Sequence, residues 1–285
     1  MRKRAVTQAL SGHFSEEEVK SSLKGIDIIG DMAIVKLPRA LEGRGHEVGE
    51  LLLGTLSVQS VYRQTTPAAP GTKVRGLEWL AGRVGTETLH RESGCLFHLD
   101  VGKVYFSPRL SHERRRIAGL VMPGEVVVNM FAGVGTFSVV IAKNSEAALI
   151  YSIDKSSEAC RYMAENIRIN NLDGRVVAMG GDAREALRGL RRTADRVLMP
   201  LPELALEYIP DAVACLRDAG MVHVYLHQKA PTRVDAVRMA EAAVADGSGA
   251  AGAAVVSSGG RVVRSIGRHL FQVAVDIQLD VRGAQ

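Results

Sequence analysis

The sequence predicts an α/β fold: a mostly parallel, doubly wound sheet over residues 119–285 with an antiparallel last strand, preceded by a small α+β domain. Three observations carry this. From about residue 125, short apolar runs alternate with segments of helical spacing, and such units build parallel sheets. The run Glu125-Val-Val-Val-Asn-Met-Phe-Ala-Gly-Val-Gly-Thr136 ends an apolar strand in Gly133-x-Gly135 just before a helical pattern, which fits either a nucleotide-type loop or an ordinary turn. Before residue 119 the texture is that of hairpins and turns instead.

In chain order, residues 1–24 read as a loosely attached helical tail, with Ser15 before the acidic turn Glu16-Glu17-Glu18 and Lys20 and Lys24 towards the other end. Residues 26–37 read as two short strands around Gly30-Asp31, 48–56 as a helix, and 58–63 as a strand. Thr65 to Gly71 is a loop by its proline and glycine content, leading to Lys73, Arg75 and Trp79. Residues 86–104 alternate as a hairpin turning at Ser93-Gly94, and Ser111 can cap a helix that begins at His112. These place a small α+β domain with a linker helix over 25–118.

Strands then follow over 125–130, 149–153, 176–179, 194–199 and 221–226, with helices over 136–144, 157–170, 184–190, 203–218 and 232–245. Gly220 is taken as the stop of the fourth helix, and Gly247 to Gly252 as a flexible break. Strands near 261–265 and 270–279 close the chain.

Composition narrows the class. Hydrophobic residues make up 46%, enough for a sizeable core, and global disorder is excluded. No apolar run reaches membrane-spanning length, and Met1-Arg-Lys-Arg4 leads into polar sequence rather than a signal-peptide core, so a soluble, cytoplasmic protein without membrane association is expected. The net charge of +5 lies entirely in the first part: residues 1–120 hold 18 Lys and Arg against 13 Asp and Glu, and the rest 18 against 18. That asymmetry suggests a nucleic-acid-facing front. Cys95, Cys160 and Cys215 have no metal-type spacing and read as idle thiols. His223 and His227 share a strand with no third ligand near, so no metal is expected.

The dinucleotide fingerprint needs Gly or Ala three positions after Gly135, where Ser138 stands. The next two strands end in Asp154 and in Gly180-Gly-Asp182-Ala183. A strand-end acid can accept both hydroxyls of a ribose, and the second can meet an adenine amino group. An adenosine ligand without a pyrophosphate fits best, and S-adenosylmethionine is such a ligand.

Tyr105-Phe-Ser-Pro-Arg-Leu-Ser-His-Glu-Arg114, Met130-Phe-Ala-Gly-Val-Gly135, Ala164-Glu-Asn-Ile-Arg-Ile-Asn170 and Asp195-Arg-Val-Leu-Met199 resemble the archaeal and eukaryotic tRNA (guanine-37-N1) methyltransferases, and their relatives, the wybutosine-pathway aminocarboxypropyl transferases. The resemblance runs from about residue 25 to the end. It implies a Rossmann-like methyltransferase domain, S-adenosylmethionine as donor, and the anticodon stem-loop of tRNA as partner, in a protein expected to be monomeric. Many members carry a further N-terminal domain that grips the tRNA elbow, of which at most residues 1–24 are expected here. The family's general base falls on Glu113, its cofactor-side arginine on Arg114, and cofactor contacts on Phe131, Gly133, Gly135, Asp154, Asp182 and Ala183. Arg109, in the same motif, is expected in the catalytic set with Glu113 and Lys73. It can alternatively pair with Glu113 one helical turn on, while Arg115 and Arg116 are expected to face phosphate or solvent.

Four positions depart from the family pattern. Asn129 replaces an Asp, and Thr136 a Pro. Lys73 stands where an arginine reaches guanine O6, with Arg75 near enough to substitute. Pro200 replaces an asparagine lining the cofactor and acceptor base, leaving only a backbone carbonyl at the substrate-side wall. Aminocarboxypropyl transferases also lack that asparagine, but Arg109, Leu110 and Pro202 here follow the methyltransferases. The expected activity is therefore methyl transfer to N1 of guanosine-37. The alternatives are aminocarboxypropyl transfer and RNA binding with little catalysis.

Overall fold

In the computed structural model, which describes residues 2–22, 25–66 and 74–283, the chain divides into two units, Met1–Ser111 and His112–Gln285. The first opens with α1 (Arg2–Ser11) and α2 (Glu16–Ser22). Ser15 Oγ accepts the Glu18 N–H at 3.4 Å, and Glu18 returns a carboxylate oxygen to the Ser15 N–H at 2.8 Å. This is the reciprocal cap of a serine three residues before a glutamate. The reading of residues 1–24 as a loose tail is corrected here. Val6, Leu10, Phe14 and Val19 are buried in one core with Leu41, Val48, Leu52, Val61 and Leu80. Val6 and Leu10, four apart, share the inward face of α1.

That core lies between the helices and a sheet of β1 (Ile26–Ile29), β2 (Met32–Val35), β3 (Ser60–Gln64) and β4 (Leu77–Gly82), in that order, with α3 (Gly45–Thr55) between β2 and β3. The hairpin of β5 (Glu87–Glu92) and β6 (Cys95–Asp100) turns at Ser93-Gly94 as expected. It docks on the β1–β2 turn through Thr88 Oγ1, which donates to Asp31 at 2.7 Å.

In the second unit, α4 (Ser111–Ala118) precedes β7 (Val126–Asn129), α5 (Thr136–Asn144), β8 (Leu149–Asp154), α6 (Ser157–Ile169), β9 (Val176–Gly180) and α7 (Ala183–Leu187). Then come β10 (Ala194–Met199), α8 (Ile209–Cys215), β11 (Leu216–Lys229), α9 (Arg233–Ala250), β12 (Ala254–Gly267) and β13 (Leu270–Asp280). The sheet order is β12-β13-β11-β10-β7-β8-β9. β13 is antiparallel to both neighbours, and the remaining strands run together. Strand order reverses between β7 and β10, and in open α/β sheets the ligand crevice lies beyond the carboxyl ends at such a point. Val128, Ile153, Val197, Val224 and Val275 carry the core between sheet and helices.

Three expectations fail. The helix placed over 203–218 is only α8: residues 202–208 are turns, and Pro210 sits in the first helical turn, where a missing N–H does no harm. Gly220 stops no helix. It lies inside β11, where a Cβ would come within 2.4 Å of the Asp195 carbonyl oxygen, so the close strand approach requires glycine. Nor is Gly247 to Gly252 a break, because α9 runs through its first four residues. Gly247 lies against Ile209, and Ser248 Oγ donates to the Val244 carbonyl at 2.8 Å.

β11 continues five residues beyond Val224, the partner of Met199 at the end of β10, to Lys229. With β12 and β13 it makes a three-stranded ribbon reaching about 17 Å past the parallel strands. β12, the sheet edge, shifts register at Val255/Ser257, Val262/Arg264 and Ser265/Gly267.

Candidate active site

The glycine loop leaves β7 with Gly133 and Gly135 at φ of 57° and 82°, left-handed values that glycine adopts without a Cβ penalty. A Cβ on Gly135 would come within 3.1 Å of Met163 on α6, so the loop packs directly on that helix. The loop is tied at both sides. Gly133 N–H donates to Asp154 Oδ2 at 2.7 Å, and Asn166 Nδ2 donates to the Val134 carbonyl at 3.0 Å. Asn170 in turn donates to the Asn166 carbonyl at 2.7 Å, which gives the Ala164–Asn170 motif a role that sequence reasoning missed.

Asp154 Oδ1 accepts the Ser156 N–H at 2.9 Å. Each carboxylate oxygen thus takes one backbone donor and keeps a second lone pair for a diol. A Cβ on Gly133 or Gly181 would meet nothing within 4 Å, so open space adjoins both turns. Asp182 caps α7, accepting the Arg184 N–H at 2.9 Å, and lies 3.5 Å from the Tyr208 hydroxyl. Phe131 meets the Tyr208 ring edge to face, with centroids 5.2 Å apart. Phe131, Asp182 and Tyr208 therefore form one wall, with Ala183 buried behind it at the start of α7. These features fit an adenosine-bearing ligand.

Beneath the loop, Asn129 Nδ2 donates to Ser138 Oγ at 3.0 Å, and Ser152 Oγ donates to the same oxygen at 2.5 Å. Ser138, where the dinucleotide fingerprint has a small apolar residue, is the acceptor that holds the substituted Asn129. Asn129 Oδ1 is buried without a hydrogen-bond partner. Thr136 begins α5, and Pro200 is half-buried immediately after β10.

Glu113 is 7% exposed on α4. Its Oε1 accepts the Tyr225 hydroxyl at 2.9 Å and Arg116 Nη2 at 2.6 Å, while one terminal nitrogen of Arg261 bridges both carboxylate oxygens. The expectation that Arg116 faces phosphate or solvent is corrected, since it also donates to Asp276 at 2.5 and 3.0 Å. Glu113 and Arg116 are three apart and share one helix face. Burial works against the Arg116 charge, but hydrogen bonds to Asp276 and Glu113 outweigh it and raise the pKa. Burial would raise Asp276, yet donors from His223 and Arg116 hold it well below the carboxylate range. Burial, then the Glu113 charge, pushes the Tyr225 hydroxyl well above its ordinary value. Arg114 is fully buried beside them on α4, and Arg115 is exposed.

Arg109 does not pair with Glu113. Pro108–Leu110 is a 3-10 turn, and Arg109 Nε donates within the first unit to Asp27 at 2.7 Å. Arg75 Nη1 donates to the other oxygen of Asp27 at 3.1 Å. Lys73 lies outside the described residues. Among the described residues no group of three His, Cys, Asp or Glu is arranged for a metal ion, and no helix is long and apolar enough to cross a membrane.

Comparison with known proteins fits this geometry. The family model described as the TRM5/TYW2 methyltransferase domain matches residues 88–246, and that of the TYW2 N-terminal domain matches residues 6–86. A Pyrococcus abyssi protein named tRNA (guanine(37)-N(1))-methyltransferase Trm5b is 41% identical over 70% of this chain and 58% of its own length. The chain spans a little over half the length of the Trm5b relatives it matches. The Saccharolobus solfataricus tRNA 4-demethylwyosine(37)-methyltransferase Taw21 is 32% identical over 90% of this chain and 94% of its own length. Among solved structures, the complex of aTrm5 and tRNALeu superposes with a TM-score of 0.82 at 29% identity, over 98% of this chain and 79% of that one.

Proposed function

Because the chain belongs to the TRM5/TYW2 methyltransferase family, we propose that it methylates N1 of guanosine-37 in the anticodon loop of tRNA, with S-adenosylmethionine as donor and Glu113 as general base. The observation that carries this reading is the buried Glu113 carboxylate, held on the unit whose glycine loop is pinned to Asp154. Bound there, S-adenosylmethionine supplies an electrophilic methyl group. Asp154 holds the ribose hydroxyls, and Gly133 and Gly135 let the main chain approach the ligand. Phe131, Asp182 and Ala183 wall the adenine, Arg114 supports the cofactor side from α4, and Pro200 borders the acceptor base. Glu113 accepts the N1 proton as the ring nitrogen attacks, a role typically worth about 10²–10⁴-fold in rate. On the first unit, Arg75 and Arg109, both held by Asp27, are the cations proposed for the RNA backbone.

A second reading, methyl transfer to 4-demethylwyosine at the same position, is favoured by the match over nearly the full length of Taw21. Mass spectrometry of anticodon stem-loops incubated with the donor separates the two. One methyl gained on unmodified guanosine-37 supports the first. A methyl gained only on 4-demethylwyosine RNA supports the second, and an aminocarboxypropyl adduct or no change removes both.

A further inference from the structure

Behind Glu113 the polar row continues through the sheet. Asp276 accepts the Nδ1–H of His223 at 2.6 Å, and Arg196 Nη1 donates to His223 Nε2 at 2.6 Å. Arg196 closes the row on Glu125 at 2.7 and 2.9 Å. A guanidinium only donates, so Nε2 must accept and the imidazole proton sits on Nδ1. His223 is therefore neutral, and full burial lowers its pKa in the same sense.

The charges then cancel: Glu113, Asp276 and Glu125 face Arg261, Arg116 and Arg196. Burying such an array gives no stability that a well-packed apolar cluster would lack. Stability is thus a poor explanation for it. What the row does achieve is geometric. Arg116 and Tyr225 hold Oε1 from the buried side, whereas the only donor to Oε2 among the described residues is Arg261, whose side chain is 36% exposed.

We propose that Arg116 and Asp276 are positioning residues for the reaction: Asp276 fixes the Arg116 fork, and Arg116 fixes the Glu113 carboxylate so that Oε2 is the oxygen that receives the substrate proton. This rests on Glu113 being the base. Misplacing a reacting group by about 1 Å can lower a rate about 100-fold without altering binding, so the signature is a loss in kcat at constant KM.

The test compares Arg116→Gln, Asp276→Asn and the double variant, with active enzyme counted by S-adenosylmethionine binding. Each single change leaves an unbalanced, part-buried charge, while the double restores neutrality. The expected result is a lower melting temperature and a kcat reduced about 10–100-fold in each single variant, with KM for RNA and donor within about twofold. The double variant regains most of the melting temperature but keeps the kcat of Arg116→Gln. Recovery of kcat together with stability in the double would overturn the proposal, because the row would then act only by charge balance. Should Arg116→Gln not fold, Arg116→Lys keeps the charge but cannot span both carboxylates, and wild-type kcat in that variant is equally fatal. Wild-type protein that methylates no RNA removes the Glu113 reading itself, a failure seen before any variant is made.

Discussion

Asp27 accepts the Nε–H of Arg109 at 2.7 Å, joining residues 82 apart in the chain, and the same carboxylate accepts Arg75 at 3.1 Å. With Asp27 6% exposed, its removal leaves two cations to re-solvate or repel. Asp27→Ala should destabilise the first unit by about 1.5–3 kcal/mol, the usual value of hydrogen bonds to charged groups, with the lower end expected because Arg109 is about half exposed. The single tryptophan of the chain, Trp79, lies on β4. Urea titration followed by its fluorescence reports that unit directly, and an unchanged midpoint would refute the clamp.

Glu113→Gln keeps the size of the side chain and removes the proton acceptor. Methyl transfer should fall about 10²–10⁴-fold while donor affinity, measured by calorimetry, stays within about twofold. Full activity in this variant would end the assignment of Glu113 as base.

Burial, opposed by Asp276, lowers the His223 pKa below 6.5. The native state then binds fewer protons than the unfolded chain as pH falls below that value. The stability is present above pH 6.5 and is lost as pH falls through this range. The Asp276 contribution is lost only below 3.8, so the two windows do not overlap. Wild-type melting temperature should decline from about pH 6.5 to pH 5. His223→Gln, which can donate to Asp276 and accept from Arg196 without titrating, should show a flatter profile. Equal slopes in calorimetric melts of the two proteins would count against the neutral imidazole.

At the ribbon end, Lys229 and Arg268 are exposed and have no ion-pair partner among the described residues. No carboxylate occurs between residues 247 and 275. If RNA tracks this ribbon, Lys229→Gln with Arg268→Gln should reduce the slope of log affinity against log salt by about 1–2, with donor binding unchanged. An identical slope in filter-binding titrations would place the RNA elsewhere.

The glycine loop and Asp154 were legible because the fingerprint is local and strand-end acids recur with each β-α unit. The alternation of strands and helices likewise located the parallel sheet and the antiparallel last strand. Tyr225 and Arg261 were not legible as partners of Glu113, nor Asp276 as the partner of Arg116, because pairing across strands depends on register that periodicity does not encode. A signal did exist: His223 between Val222 and Val224, and Asp276 between Val275 and Ile277, are polar residues at the heart of apolar runs. Buried polar groups need partners, and two such interruptions in separate strands can satisfy each other. The alternative pairing of Arg109 with Glu113 rested on four-residue spacing, which implies contact only within an α-helix, and the chain is in a 3-10 turn there.

The register slips of β12 carry a consequence for the behaviour of the chain in concentrated solution. This edge strand runs for 14 residues and exposes Val255 and Val256, the features of a surface onto which foreign strands accrete. Three slips in that length put its outward N–H and C=O groups out of step with any straight strand laid alongside. The sheet thereby ends in a jagged margin, and amyloid-like growth from it is discouraged by backbone spacing, while Glu241 of α9 takes the Gly260 N–H.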